Sequence, residues 1–172
     1  MQAETESPRL FFALWPDAAT REKLTALQHD VSGRKVRSQN LHMTLAFLGN
    51  QLRTSVPVLK EVMASLTLSS MQLEIDTYGY FQQQRIVWVG PSLPPLSLFD
   101  LQHALRLAIN EAQISYKPLA GFRPHISLAR DAKEQTDKLL QPVHWRVEKF
   151  VLLESVSDAT GVIYTPLAER DF

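Results

Sequence analysis

The sequence predicts an α+β fold of two lobes facing each other across a cleft, and two observations predict it. Each half of the chain runs strand, capped helix, irregular link, then a strand that opens on histidine. The spacing is also repeated, with 25 positions from Asp17 to His42 and 28 from Ser97 to His125. Two copies are too few for a solenoid. They read instead as an internal duplication within a single domain spanning residues 1–172, with lobes at residues 9–76 and 86–165 and strand exchange between them. Each lobe is expected to be a small antiparallel-rich sheet with helices on its outer face.

The elements follow in order. Leu10 to Trp15 is apolar and aromatic, as in a buried strand, and Phe11, Phe12 and Trp15 are assigned to the core, with a cleft-lining face that stacks on a base as the alternative for Phe11. Pro16-Asp17 ends it, and Asp17 caps a helix to about Val31 with Leu24, Leu27 and Val31 on one face. Leu41 to Leu48 is a second buried strand, followed by a helix at about Ser55 to Leu66. Met71 to Asp76 alternates with period two, as in a strand with one wet face. Ile86 to Val89 opens the second half, and Ser97 caps a helix that turns Leu98, Leu101, Leu105 and Ile109 inward. His125 to Ala129, the long run Val143 to Val156 and Val162 to Thr165 complete the strands.

Composition narrows the class. The 172 residues carry 18 Lys+Arg against 18 Asp+Glu, a formal net charge of zero, so long nucleic acid is not held mainly by charge. A short RNA end gripped at few phosphates stays open. Cysteine is absent, which removes disulfide scaffolds, thiol catalysis and Cys-ligated zinc together. No apolar window is long enough to span a membrane, and the first eight residues, with two acids, have no signal-peptide pattern. A cytoplasmic protein is the expectation.

The two histidine strands read Leu41-His42-Met43-Thr44-Leu45 and Pro124-His125-Ile126-Ser127-Leu128. Both have the form His-apolar-hydroxyl-apolar. Alternate strand residues share a face, so each strand presents an imidazole and a hydroxyl to one side, with the apolar residues turned into the core. Imidazole titrates near pH 6.5, so one ring can accept a proton while another gives one. Two such rings flanking a phosphate permit displacement at phosphorus, with Thr44 and Ser127 donating to non-bridging oxygens. That chemistry uses no metal and no cofactor.

These motifs resemble the paired His-x-Thr/Ser-x motifs of the two-histidine phosphoesterase superfamily. Arg9-Leu10-Phe11-Phe12-Ala13, Asn40 to Gly49 and Phe122 to Arg130 are similar to the bacterial RNA 2′,3′-cyclic phosphodiesterase branch, also called 2′-5′ RNA ligases. Ser127 departs from the threonine common there; serine keeps the hydroxyl but loses the methyl that stiffens χ1. The resemblance implies opening of a terminal 2′,3′-cyclic phosphate on RNA to a 2′-phosphomonoester, with ATP-independent 2′-5′ ligation as the reverse. It implies His42 as the acid for the 3′ oxygen and His125 as the base for water, roles the near-equivalent halves can exchange. It also implies RNA ends or cyclic-phosphate nucleotides as partners; the sequence pattern itself gives no membrane, and two motif-bearing halves in one chain suggest that a monomer suffices to build the site. Arg130 matches a position that contacts the nucleoside. Strict alternation turns Arg130 away from His125, so that role requires the strand to end or bulge before it.

Other readings compete. The same fold can serve as a non-catalytic module that binds a nucleotide or RNA end, but binding alone does not require two proton shuttles. Histidine is the commonest zinc ligand, yet no HExxH or paired acidic spacing is present. His29, His103 and His144 lack a hydroxyl two residues on and are assigned structural or surface roles, and Trp88 and Trp145 are assigned to packing. Arg123 is either a phosphate contact or a surface ion-pair residue. Arg34-Lys35-Val36-Arg37 reads most simply as a solvated loop, with guidance of RNA toward His42 as the alternative.

Overall fold

A computed structural model describes residues 7–172. It has nine strands and three α-helices in the order β1 (Arg9–Trp15), α1 (Ala18–Leu27), β2 (Arg34–Lys35), β3 (Met43–Asn50), α2 (Val56–Ser65), β4 (Met71–Phe81), β5 (Ile86–Gly90), α3 (Leu96–Glu111), β6 (Ile126–Arg130), β7 (Lys138–Val147), β8 (Lys149–Asp158) and β9 (Gly161–Asp171). Asp17 caps α1 as its position dictates, accepting the Thr20 N–H at 3.1 Å. Ser97 is not a cap. Helix α3 begins two residues earlier than a Ser97 cap implies, with Pro95 at its N-cap and no side-chain bond there; proline fixes the entry angle in place of a hydroxyl.

The strands form a four-stranded sheet in the order β3-β1-β8-β9 and a five-stranded sheet in the order β2-β6-β5-β4-β7, all antiparallel. The sheets do not follow the halves of the chain. Strand β4, in the 9–76 half, pairs with β5 and β7, while β8 and β9 return to lie beside β1. Helices cross over too. Helix α1 packs on β6 and β7, and α3 packs on β3. The run Val143 to Val156 falls in two strands, divided at Glu148 and sent to different sheets. Arg34 and Lys35 form the short edge strand β2 instead of a free loop, and both stay exposed. A short, charged edge resists pairing with another chain.

Alternation along β1 divides its residues between two environments. Leu10, Phe12 and Leu14 enter the main core, which also takes in Leu24, Leu59, Leu105, Trp145 and Phe150. Phe11 and Ala13 face the other way and join Val151 and Leu153 in a separate apolar cluster, against which Trp15 and Tyr164 pack. The corresponding division in β5 sends Val87 and Val89 to the core and leaves Trp88 on the opposite face. Each sheet is thus covered by helix on one face and turns the other toward a cleft.

Candidate active site

Both histidines stand just before a strand and are held by the same local device. His42 Nδ1 lies 2.6 Å from the carbonyl of Asn40, and His125 Nδ1 lies 2.7 Å from the carbonyl of Arg123. A carbonyl oxygen only accepts, so each Nδ1 carries the proton and Nε2 becomes the basic nitrogen of the neutral ring. The Asn40 side chain donates to Val162 O at 2.9 Å, which ties this segment to β9.

The hydroxyls share the faces of their histidines. Thr44 Oγ1 is 2.9 Å from His42 Nε2, far closer than spacing along a strand suggests, because the two side chains lean together. Ser127 lies opposite Trp88 in the β5–β6 register, and Trp88 makes an edge contact with the His125 ring.

An identical irregularity follows each hydroxyl. In β3, Thr44 pairs with Ala13 and Ala46 with Phe12, so Leu45 is an extra residue. In β6, Ser127 pairs with Trp88 and Ala129 with Val87, so Leu128 is extra. Each is a one-residue bulge, and it sends two successive residues into the core: Leu45 and Ala46 in one strand, Leu128 and Ala129 in the other. Alternation then resumes with Phe47 and Arg130 back on the cleft side. The condition for Arg130 is therefore met, and its charge acts on both His42 and Tyr164.

Aromatic rings enclose both imidazoles. Phe11, Trp15 and Tyr164 surround His42 with ring centroids 5.1, 5.8 and 5.1 Å away. Phe11, for which a cleft-lining place is the alternative, and Trp15, expected in the core, are both wall residues of the site; a buried strand shows apolar residues on both faces, and sequence does not say which face the cleft takes. Phe81 stands edge-on to His125 at 4.9 Å. Trp88 packs here because Gly79 has no side chain, and a Cβ on Gly79 would overlap the indole. Local pattern carries no sign of Phe81 or Tyr164 as site residues, because their places depend on strand pairing across the two sheets. Trp145, by contrast, is fully buried in the core.

Burial pushes the His42 pKa down to about 4; the Asn40 carbonyl opposes this, while the charges of His125, Arg21 and Arg130 reinforce it. Burial also lowers His125, opposed by the Arg123 carbonyl and reinforced by the Arg123 charge. Near neutrality both rings are uncharged, with the cations Arg21, Arg130 and Arg123 near them. An anion is the complementary ligand. Among the described residues no group of three His, Cys, Asp or Glu side chains gathers into a metal site, and no helix is long and apolar enough to cross a membrane.

Comparison with known proteins decides the family. The 2′-5′ RNA ligase superfamily model matches residues 15–159, which contain both motifs. The chain belongs to that superfamily. Among its relatives, the RNA 2′,3′-cyclic phosphodiesterase of Escherichia coli (strain K12) is 33% identical over 95% of this chain and 96% of its own length. The protein of that name from Methanothermobacter thermautotrophicus is 26% identical over 92% of this chain and 96% of its own. A crystal structure of E. coli LigT complexed with 3′-AMP superposes with a TM-score of 0.86 at 30% identity, covering 98% of this chain and 99% of that one. A Thermus thermophilus protein, TT0787, superposes with a TM-score of 0.81 at 25% identity, covering 95% and 97%. The ligase-superfamily fold is thus shared along nearly the whole chain.

Proposed function

We propose that this protein hydrolyses terminal 2′,3′-cyclic phosphates on RNA to 2′-phosphomonoesters. The observation that carries this reading is the matched setting of two imidazoles: each donates from Nδ1 to a carbonyl two residues upstream, and each opens a bulged strand. The names of the relatives support the same reaction. A module that merely binds an RNA end needs neither the matched tautomers nor a second imidazole.

In this scheme His125 Nε2 takes a proton from water as its oxygen attacks phosphorus. The P–O3′ bond breaks, and His42 Nε2 gives its proton to the leaving 3′ oxygen. Thr44 and Ser127 donate to the non-bridging oxygens, and Arg130 meets the nucleoside, where a guanidinium stacks well on a base. Each proton transfer supplies on the order of 10²–10⁴ in rate. Both protons are carried by imidazole, so the scheme invokes no metal.

His42 can act as an acid only once it is charged, and the substrate supplies the means. An anionic phosphate about 4 Å away, at an effective dielectric near 20, is worth roughly 4 kcal/mol, or about three decades of protonation. That is enough to return His42 from about 4 to the neutral range. Binding of the anion thus loads the acid. With an RNA 5′-hydroxyl in place of water, the same displacement forms the new P–O5′ bond as P–O3′ breaks, and so joins RNA ends through a 2′-5′ linkage without ATP. One chain supplies both half-sites, so a monomer suffices, and the cysteine-free composition suits the cytoplasm.

The test is an RNA oligonucleotide ending in 2′,3′-cyclic phosphate, incubated with chelator-treated enzyme and mapped for the position of the product phosphate. The scheme predicts the 2′-phosphate. A 3′-phosphate product contradicts the assigned leaving group, and no turnover by chelator-treated enzyme contradicts the metal-free chemistry.

A further inference from the structure

A polar row crosses the four-stranded sheet on its cleft face. Arg9 on β1 lies opposite Ser155 on β8, and Ser155 lies opposite Tyr164 on β9. Directly paired residues of antiparallel strands share a face. The face here is the one on which Phe11, Leu153 and Tyr164 pack together. A guanidinium, a hydroxyl and a phenol thus border the apolar floor beside His42, whose ring Tyr164 meets edge-on at 5.1 Å.

The row is made of hydrogen-bond donors with no acid beside them. Arg9 is exposed, its guanidinium carbon 5.2 Å from the centroid of the Phe47 ring, a contact that steadies the cation without neutralising it. No ion pair joins Arg9 to an acid among the described residues. The acids of the β8–β9 hairpin are engaged elsewhere. Glu154 lies opposite Leu10, on the other face, and pairs with Arg53 at 2.9 Å. Asp158 accepts from Thr160, and Glu169 and Asp171 pair with Lys149. Neither the Ser155 nor the Tyr164 hydroxyl has a hydrogen-bond partner among the described residues. Burial raises the Tyr164 pKa, against the charges of Arg130 and Arg9, so the phenol keeps its proton near neutrality and stays a donor. Uncompensated cationic and neutral donors on one face are the complement of a phosphate.

The position of the row says which phosphate. The inference rests on the functional reading above, in which the 3′ oxygen leaves toward His42. The ribose that carries the cyclic phosphate is then on the His42 side. Its 5′ carbon leads to the rest of the RNA strand, and the first charged group met on that path is the next phosphodiester. We propose that Arg9, with Ser155 and Tyr164, binds this phosphate, the one 5′ to the terminal nucleotide. The row thereby selects RNA ends over free cyclic mononucleotides, which have no charge at that place. The Arg9 fork takes two phosphate oxygens side by side, and the two hydroxyls donate to the same group.

The test reads kcat/KM on three substrates. They are a nucleoside 2′,3′-cyclic monophosphate, a dinucleotide ending in 2′,3′-cyclic phosphate, and the same dinucleotide with an uncharged methylphosphonate as its internal linkage. Wild type is expected to prefer the dinucleotide over the mononucleotide by about tenfold or more, as for a charge-assisted contact, and to lose that preference with the methylphosphonate. In Arg9→Gln the ratio of dinucleotide to mononucleotide should fall to within about twofold of one. Arg9→Lys keeps the charge without the fork and should keep part of the preference. A ratio that Arg9→Gln leaves at the wild-type value overturns the proposal. So does a methylphosphonate that serves wild type as well as the phosphodiester, a comparison that needs no variant to fold. Wild type that opens the mononucleotide with no preference for the dinucleotide refutes the role of the row alone. Wild type inert on all three substrates refutes the underlying function first, and the two failures are thereby distinguished.

Discussion

Trp15 lies nearly parallel to His42, with ring centroids 5.8 Å apart and planes 18° apart. On Trp15 sits Arg21, its guanidinium carbon 5.0 Å from the ring centroid, so cation, indole and imidazole form one chain of contacts. Arg21 also donates to the carbonyls of Ser38, Leu41 and Pro16 at 2.6, 3.0 and 3.3 Å. It therefore clamps the segment that leads into His42 while adding positive potential to it.

Arg21→Gln is expected to destabilise the fold by about 2 kcal/mol, since charged donors to half-buried carbonyls are lost. It also removes one of the charges that hold His42 neutral, so the His42 titration moves to higher pH. Lysine keeps the charge but not the fork, and so should restore the titration more fully than the stability. An NMR titration of the His42 ring beside a thermal melt separates the two effects. An unmoved titration in Arg21→Gln would sink the electrostatic half of this claim.

His42 makes the fold acid-sensitive. Its folded pKa of about 4 lies below the ordinary value of 6.5, so the unfolded chain binds more protons between those values and stability rises with pH across that window. The contribution is complete above pH 6.5 and is lost as pH falls toward 4, by roughly 3 kcal/mol. His125 adds in the same direction. Denaturant melts at about pH 7 and about pH 4.5, on either side of the ordinary imidazole value, should show a steep loss for wild type and a shallower one for His42→Asn. Parallel losses in the two proteins would contradict the assignment.

The hydroxyls are not equivalent. Thr44 bonds His42 Nε2 directly, and its χ1 is stiffened by a methyl that Ser127 lacks. Thr44→Val keeps the shape, removes the donor, and should lower kcat by about 10²-fold with KM little changed, as for loss of an oxyanion donor. Ser127→Thr should equal or exceed wild-type turnover. A Ser127→Thr variant well below wild type would show that the smaller side chain is required there.

Gly79 is expected to be intolerant for the sake of His125. A methyl at this position overlaps Trp88, which contacts His125 edge-on. Gly79→Ala should cost on the order of 1–3 kcal/mol from overpacking and reduce kcat more than a neutral core change of equal cost. Pairing it with Trp88→Phe, which opens space, should recover part of both. Failure to recover either would place the strain elsewhere.

The strand-forming runs, the Asp17 cap and the two His-x-hydroxyl motifs were legible because each depends on neighbours within a few residues. The bulges after Thr44 and Ser127 were not, since a bulge is a property of pairing: Leu45-Ala46 reads as ordinary buried strand until Phe12 and Ala13 are set opposite. Arg130 shows the consequence, as alternation states the condition for its role and register meets it. The rings around the histidines were hidden for a related reason. Tyr164 reaches His42 only because β9 returns beside β8, a long-range closure that local periodicity does not encode.

Whether His42 and His125 act as one proton-transfer unit is tested most directly by kinetics. Turnover of an RNA oligonucleotide ending in 2′,3′-cyclic phosphate is measured for wild type, His42→Ala, His125→Ala and the double variant. Groups that act together are non-additive, so each single change should lose about 10³-fold or more, with the double variant no more than about tenfold below the worse single. If either single variant retains turnover within about tenfold of wild type, or the two losses multiply in full, the two-histidine unit is contradicted.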